Sequence, residues 1–337
     1  MIIINPKHHS FFIFSNFASL IRKCYAKWGT PCIKMDRVYK LADEGNGYLA
    51  IGRANVIVRK LLKDKKTDDA MIFLMNLSFK LISSGEYRSA GLAAYRALSL
   101  FPLNSRTIRS YLKILFFQFV EKHMTKEVAC PEVFKYCNKL CMIFMESSEM
   151  ILNKEIEVAI GAEMYGYAQS FLIRMLFIHK ADSTENETVK KTLVKLKMLL
   201  INWFEIYEIE NKYDTGMFIL ARCLLMIAGI RLHGLDFANY LLKLLEMDGK
   251  EELDKMLKTP LVNFAKLYLK ALDLRSEPTL KYLLKKYKPL LDYDQEIYKW
   301  CEKSKKVQMN PDRDGDATDI ESLMGLLNLA QQQQQNQ

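Results

Sequence analysis

The 337 residues are half apolar, carry only 14 Gly and 8 Pro, and have a formal charge of +10. That length suffices for one long helical stack or two compact domains, and the composition favours helix over strand. The charge excess is local, with 13 basic and 4 acidic residues between Lys7 and Lys66; the body has no Arg-rich stripe, RNP motif or zinc-finger spacing, which argues against nucleic acid and leaves an acidic protein or a membrane surface as partner.

Residues 1–35 hold five basic residues and no Asp or Glu. Their apolar stretch Phe11–Ile21 is broken by Ser15, Asn16 and Ser19 and has neither helix caps nor a core pattern. They read as a disordered extension, or as sequence upstream of a true start at Met35. A transit-like presequence, with Arg22 its single Arg, and an interfacial anchor are the competing readings. From Asp36 the pattern is helix, short break, helix. Asp36–Glu44 stops at Gly45-Asn46-Gly47, and Tyr48–Asp64 follows. Thr67 is an N-cap candidate, with Asp68 and Asp69 at the positive end of the helix dipole. The next helix is apolar nearly all round, through Ala70, Met71, Ile72, Phe73, Leu74, Met75, Leu77 and Leu81, so it is expected between neighbours. After Ser83-Ser84-Gly85, Ala90, Ala93, Ala94 and Ala97 line one side of a helix and permit close backbone approach. Further helices are predicted at Ser105–Lys122, Pro131–Met145, Ile156–His179 (one or two), Glu187–Glu208, Thr215–Leu232, Leu235–Glu246, Pro260–Leu272, Thr279–Leu290 and Asp294–Lys306. Asn310–Asp319 reads as an acidic loop, Ile320–Ala330 as a short apolar helix, and Gln331–Gln337 as a low-complexity tail.

Gly47-Tyr48-Leu49-Ala50 recurs about 40 positions later as Gly85-Glu86-Tyr87-Arg88-Ser89-Ala90, and Gly234-Leu235-Asp236-Phe237-Ala238 resembles a distant third copy. Helical hairpins of that period characterise tetratricopeptide- and HEAT-like stacks. The predicted fold is therefore all-α, an α-solenoid of stacked antiparallel hairpins. Its divisions are an extension at 1–35, N-terminal hairpins at 36–190, C-terminal hairpins at 191–309, and a loop, helix and Gln-rich tail at 310–337.

No constellation supports catalysis, a metal or a cofactor. Asp312, Asp314, Asp316 and Asp319 tempt a calcium loop, but its sixth and twelfth positions hold Ala317 and Leu323 instead of Gly and Glu. Seven Cys is an odd count without framework spacing, which suits reduced thiols in a cytosolic protein. Cys137 and Cys141, with Cys130 upstream, read as small hydrophobes. His8, His9, His123, His179 and His233 are scattered, and the last three are expected to meet helix C-termini. The 17 Met read as core filler. No apolar run reaches membrane-spanning length. The helix Tyr48–Asp64 carries Arg53, Lys60 and Lys63 in an i, i+7, i+10 row with Arg59 beside it: either a solvated face or an electrostatic dock for an acidic partner.

Two segments resemble the Golgi-to-ER traffic protein 4 family, the cytosolic scaffold of tail-anchored protein targeting. The first runs from Gly47-Tyr48-Leu49-Ala50 through Asp68-Asp69-Ala70 to Gly85-Glu86-Tyr87-Arg88-Ser89. The second runs in order through Phe218-Ile219-Leu220-Ala221-Arg222, Asp236-Phe237-Ala238, Thr259-Pro260-Leu261-Val262-Asn263-Phe264, Leu267-Tyr268-Leu269, Lys286-Tyr287-Lys288-Pro289-Leu290-Leu291 and Glu321-Ser322-Leu323-Met324-Gly325-Leu326-Leu327. The resemblance departs at Ser89-Ala90-Gly91-Leu92, where the family has an acidic residue, and at Lys306-Val307-Gln308-Met309, where it has an aromatic-Gly pair. It implies a scaffold without enzymatic activity. Its N-terminal hairpins would dock a targeting ATPase, through Arg53, Arg59, Lys60 and Lys63. Its C-terminal half would hold a ubiquitin-like adaptor, through Leu261, Phe264, Tyr268, Leu323 and Leu327, and in animals a BAG-type chaperone as well. Another helical-repeat scaffold, of proteasome-lid or tetratricopeptide type, is the alternative. An α-helical prenyl-transfer enzyme is disfavoured by the lack of Asp-rich diphosphate-metal motifs.

Overall fold

One turn, used repeatedly, ends the helices. Gly45, Lys65 and Gly85, spaced 20 residues apart, lie in the left-handed region with φ of 73°, 58° and 79°. In each case the following N–H returns to the carbonyl five residues back: Asn46 to Leu41 (2.9 Å), Lys66 to Leu61 (2.8 Å) and Glu86 to Leu81 (2.8 Å). This double-bonded C-terminal motif satisfies carbonyls that the helix leaves open. The next helix starts at once, because the residue after the turn serves as its N-cap. Thr67 is thus the first helical residue instead of the cap, and Lys66 occupies the cap position without a side-chain bond. The repeat pairs Gly45 with Gly85 rather than Gly47 with Gly85. Gly47 is already inside the helix.

The computed structural model describes residues 32–101, 110–180, 182–209 and 213–309. These form 16 α-helices and no strand, so the chain is all-α. It divides after Ile143 into two compact units. Position 190, the expected division, lies near the start of the helix Glu187–Ile209 in the second unit.

The first unit contains α1 (Cys32–Asp43), α2 (Gly47–Lys63), α3 (Thr67–Ser83), α4 (Tyr87–Ser99), α5 (Ser110–Gln118) and α6 (Pro131–Ile143). Helix α1 begins before the expected Asp36, because Met35 shares the inner face with Val38 and Ala42 and is buried. Helix α3 packs against α1, α2, α4 and α5, the arrangement its all-round apolar surface called for. The Ala stripe of α4 is fully buried, and α4 lies against both α3 and α6. At the α4–α6 contact a Cβ on Gly91 would stand 2.7 Å from the backbone nitrogen of Val133. Helix α5 runs into a π-turn, Phe119–His123. There the Tyr136 hydroxyl donates to the Phe116 carbonyl at 2.7 Å, holding an acceptor at the point where the helical ladder widens.

The second unit contains α7 (Ser148–Gly161), α8 (Tyr165–Ile178), α9 (Glu187–Ile209), α10 (Tyr213–Ala228), α11 (Gly234–Glu246), α12 (Glu251–Leu257), α13 (Pro260–Asp273), α14 (Glu277–Lys286), α15 (Lys288–Leu291) and α16 (Gln295–Met309). The span Ile156–His179 is two helices, broken by the same turn at Glu163 (φ 58°). The span Thr279–Leu290 is also two, because Pro289 has no N–H to continue the ladder. Helix α10 packs against α8, α9, α11, α12, α13 and α16, and Ile219–Ala228 is buried apart from Arg222. Arg222 meets Asp294. That aspartate also accepts from the Glu296 N–H at 3.0 Å, capping the start of α16. Gln308, near the other end of α16, donates to the Ala228 and Ile230 carbonyls at 2.8 and 3.1 Å, which closes the end of α10.

Gly91→Ala is expected to lower stability by about 1–3 kcal/mol through overpacking. Gly52→Ala, on open surface within α2, is expected to raise it by about 1 kcal/mol. Thermal melting of the two variants separates the cases.

Candidate docking surfaces

Helix α2 turns Gly47, Ala50, Ala54, Val58 and Leu61 inward. Its outward side carries Arg53, Arg59, Lys60 and Lys63, all exposed. At 100° per residue Leu49 and Val56 fall among these cations, and they are 54% and 68% exposed. Sequence reading found the cations and missed the two apolar residues between them. Their placement on the polar side of the helical wheel was the available signal. Helix α4 extends the surface: its Arg96 donates to Asn55 of α2, and Arg88, Leu92 and Tyr95 face outward. Neither helix contains an Asp or Glu. Among the described residues none of the four α2 cations forms an ion pair. The face thus combines uncompensated positive charge with isolated apolar contact area, which suits an acidic protein surface.

Three of the five expected C-terminal contact residues do not lie at a surface. Leu261, Phe264 and Tyr268 are fully buried. The Phe264 ring lies 5.5 Å from that of Tyr268 and 5.2 Å from that of Tyr287, and the Tyr268 hydroxyl donates to the Cys301 carbonyl at 2.9 Å. Helix α13 packs on α10, α14 and α16, and these neighbours cover the side that amphipathicity alone left open. Leu323 and Leu327, like the acidic loop at Asp312–Asp319, lie outside the described residues. Asn263 and Leu267, on α13, are exposed.

The described residues contain no cluster of three or more His, Cys, Asp or Glu able to hold a metal. Cys130, Cys137, Cys141, Cys223 and Cys301 are buried. Burial pushes the Cys130 thiol up to about 11 and that of Cys223 up to about 12, so these two are protonated and inert at neutral pH. His179 is the C-cap residue of α8 and sits 2.8 Å from Asp182. His233 is not at a helix C-terminus as expected: it is the N-cap residue of α11, with Asp236 at 2.9 Å. His123 closes the π-turn against the Phe79 ring, and its pKa is lowered by burial and by Lys122. No described helix is long and apolar enough to cross a membrane.

One buried polar pair stands in the α7–α8 hairpin. Glu155 and Arg174 are 0% and 4% exposed and 3.9 Å apart. Neither carboxylate oxygen of Glu155 has a hydrogen-bond partner, nor do Nε and Nη1 of Arg174. Burial outweighs the pull of the guanidinium and raises Glu155 to about 8, so the carboxyl is mostly neutral at pH 7.

No protein-family model matches this chain, and no curated protein does. Among solved structures, the crystal structure of Get4 from C. therm. is similar at 14% identity. The match covers 86% of this chain and 95% of that one, with a TM-score of 0.41.

Glu155 binds its proton more tightly folded than unfolded, so its contribution to stability is complete below about pH 4.5 and is lost as pH rises towards 8. The unfolding free energy is expected to fall across that window with a slope of up to about 1.4 kcal/mol per pH unit, and Glu155→Gln should flatten it in denaturation measured at several pH values. Phe264→Ala is expected to cost about 3–5 kcal/mol in chemical denaturation, since the position is core.

Proposed function

We propose that this chain is a non-enzymatic scaffold of tail-anchored membrane protein targeting. In this reading it works in the cytosol, with a targeting ATPase on its N-terminal hairpins and a ubiquitin-like adaptor on its C-terminal half, and so delivers clients to the ER. A BAG-type chaperone at the C-terminal side is a further partner in this reading. The observation that carries it is the α2–α4 face, where the α2 cations, none of them in an ion pair, accompany exposed Leu49, Val56, Leu92 and Tyr95. The ordered sequence motifs support the pathway assignment. Long-range attraction by such a face speeds association and weakens with salt. The adaptor contact falls to other residues than Leu261, Phe264 and Tyr268, which are committed to the core.

In a binding assay with the purified ATPase of the pathway, Arg59→Glu combined with Lys60→Glu is expected to weaken affinity at least tenfold. The melting temperature should stay within about 2 °C, as for surface changes in general. Unchanged affinity at low salt would reduce the row to a solvated face. Failure of the wild-type chain to bind either the ATPase or a ubiquitin-like protein would remove the pathway reading itself.

A further inference from the structure

The stretch Pro278–Leu291, which includes the motif Lys286-Tyr287-Lys288-Pro289-Leu290-Leu291, has four lysines and no Asp or Glu. Lys281, Lys285, Lys286 and Lys288 are all exposed. The acid just before them, Glu277, is already engaged by Lys281 at 3.4 Å and Lys305 at 3.0 Å. Among the described residues Lys285, Lys286 and Lys288 form no ion pair. Like charges one helical turn apart, as at Lys281 and Lys285, destabilise a helix by a few tenths of a kcal/mol per pair, and the fold supplies no compensation at Lys285.

Aromatic rings accompany the charges. Tyr282 is 61% exposed and Tyr293 is 83% exposed. The Lys286 ammonium lies 5.9 Å from the Tyr282 ring centroid and 5.7 Å from that of Tyr287. Tyr287 in turn packs on buried Phe264, so the platform under Lys286 is anchored in the core and its geometry is set before a partner arrives. The ten residues of α14 span about 15 Å, the reach of about five extended residues. The face has no Arg between Pro278 and Leu291. It therefore offers point-charge ammonium groups rather than a planar fork, and with exposed tyrosines beside them it is complementary to carboxylates interleaved with apolar side chains.

We propose that the lysine face of α14 and the following turn docks a short acidic segment of another protein, one that carries an aromatic or aliphatic residue among its carboxylates. The proposal is independent of the targeting reading, because its test uses neither the ATPase nor an adaptor.

The test is fluorescence anisotropy of the full chain with a labelled 12-residue peptide of Asp and Glu containing two Phe. Lys285→Glu, Lys286→Glu and Lys288→Glu together are expected to weaken binding more than tenfold, and the charge-neutral Gln triple more than threefold. Tyr282→Ala should weaken it at least threefold, and a peptide with Ala for Phe should bind correspondingly less. Arg59→Glu with Lys60→Glu should leave affinity within twofold. Equal losses from the α2 and α14 variants would mean that any surface cation serves, and would overturn the proposal. So would phosphatidylserine vesicles binding through the same lysines in preference to the peptide. In the full chain, neutralising Asp312, Asp314, Asp316 and Asp319 to Asn should change peptide affinity less than threefold. A gain above tenfold would make the chain's own acidic segment the occupant and would equally overturn it.

Discussion

A helical hairpin cannot bury its own apolar faces, and each unit of this protein is organised by that constraint. In the first unit α3 has apolar residues around most of its circumference, and α1, α2, α4 and α5 cover them. In the second, α10 plays the same part with six neighbouring helices. A helix in that position loses its free side, and so it contributes burial to every hairpin that touches it. The remaining helices keep one face inward and release the other. Those released faces are where partner recognition is available.

The recurring left-handed turn makes this division regular. Because Gly45, Lys65 and Gly85 are 20 residues apart, α2 and α4 occupy equivalent positions, and the Arg96–Asn55 bond joins them. Small residues face the interior on both: Ala50 and Ala54 on α2, and Ala90, Ala93, Ala94 and Ala97 on α4. Close helix approach thus uses little side-chain volume, and the larger residues left over, Leu49, Val56, Leu92 and Tyr95, project outward with the cations. Two of the later turns use Glu163 and Arg275 at positive φ. These are residues without glycine's freedom, held there by the surrounding hydrogen bonds rather than by intrinsic preference.

Charge is handled oppositely inside and outside. Outside, α2, α4 and α14 gather cations with few acids among them. Inside, Arg222 is matched by Asp294, which is fixed by its capping bond, whereas Glu155 faces Arg174 without a hydrogen bond. A neutral carboxyl removes most of the desolvation penalty of that second site and leaves the guanidinium as the single buried charge.

Much of the helix content was legible residue by residue. Periodicity, Ala stripes and Gly breaks act over one or two turns, so Pro260–Leu272 was anticipated closely and the outward row Arg53, Arg59, Lys60 and Lys63 was found. The break at Glu163 was less legible because the left-handed position holds Glu instead of Gly, and α12 because seven residues carry too little periodicity. The tertiary structure alone decided which apolar face was surface. Leu261, Phe264 and Tyr268 read as an exposed greasy patch until α10, α14 and α16 closed over them, while Leu49 and Val56, which the sequence reading passed over, lie outside. Local pattern tells a helix which sides differ. Only the number and position of its neighbours, brought from far along the chain, tell it which of those sides water still reaches.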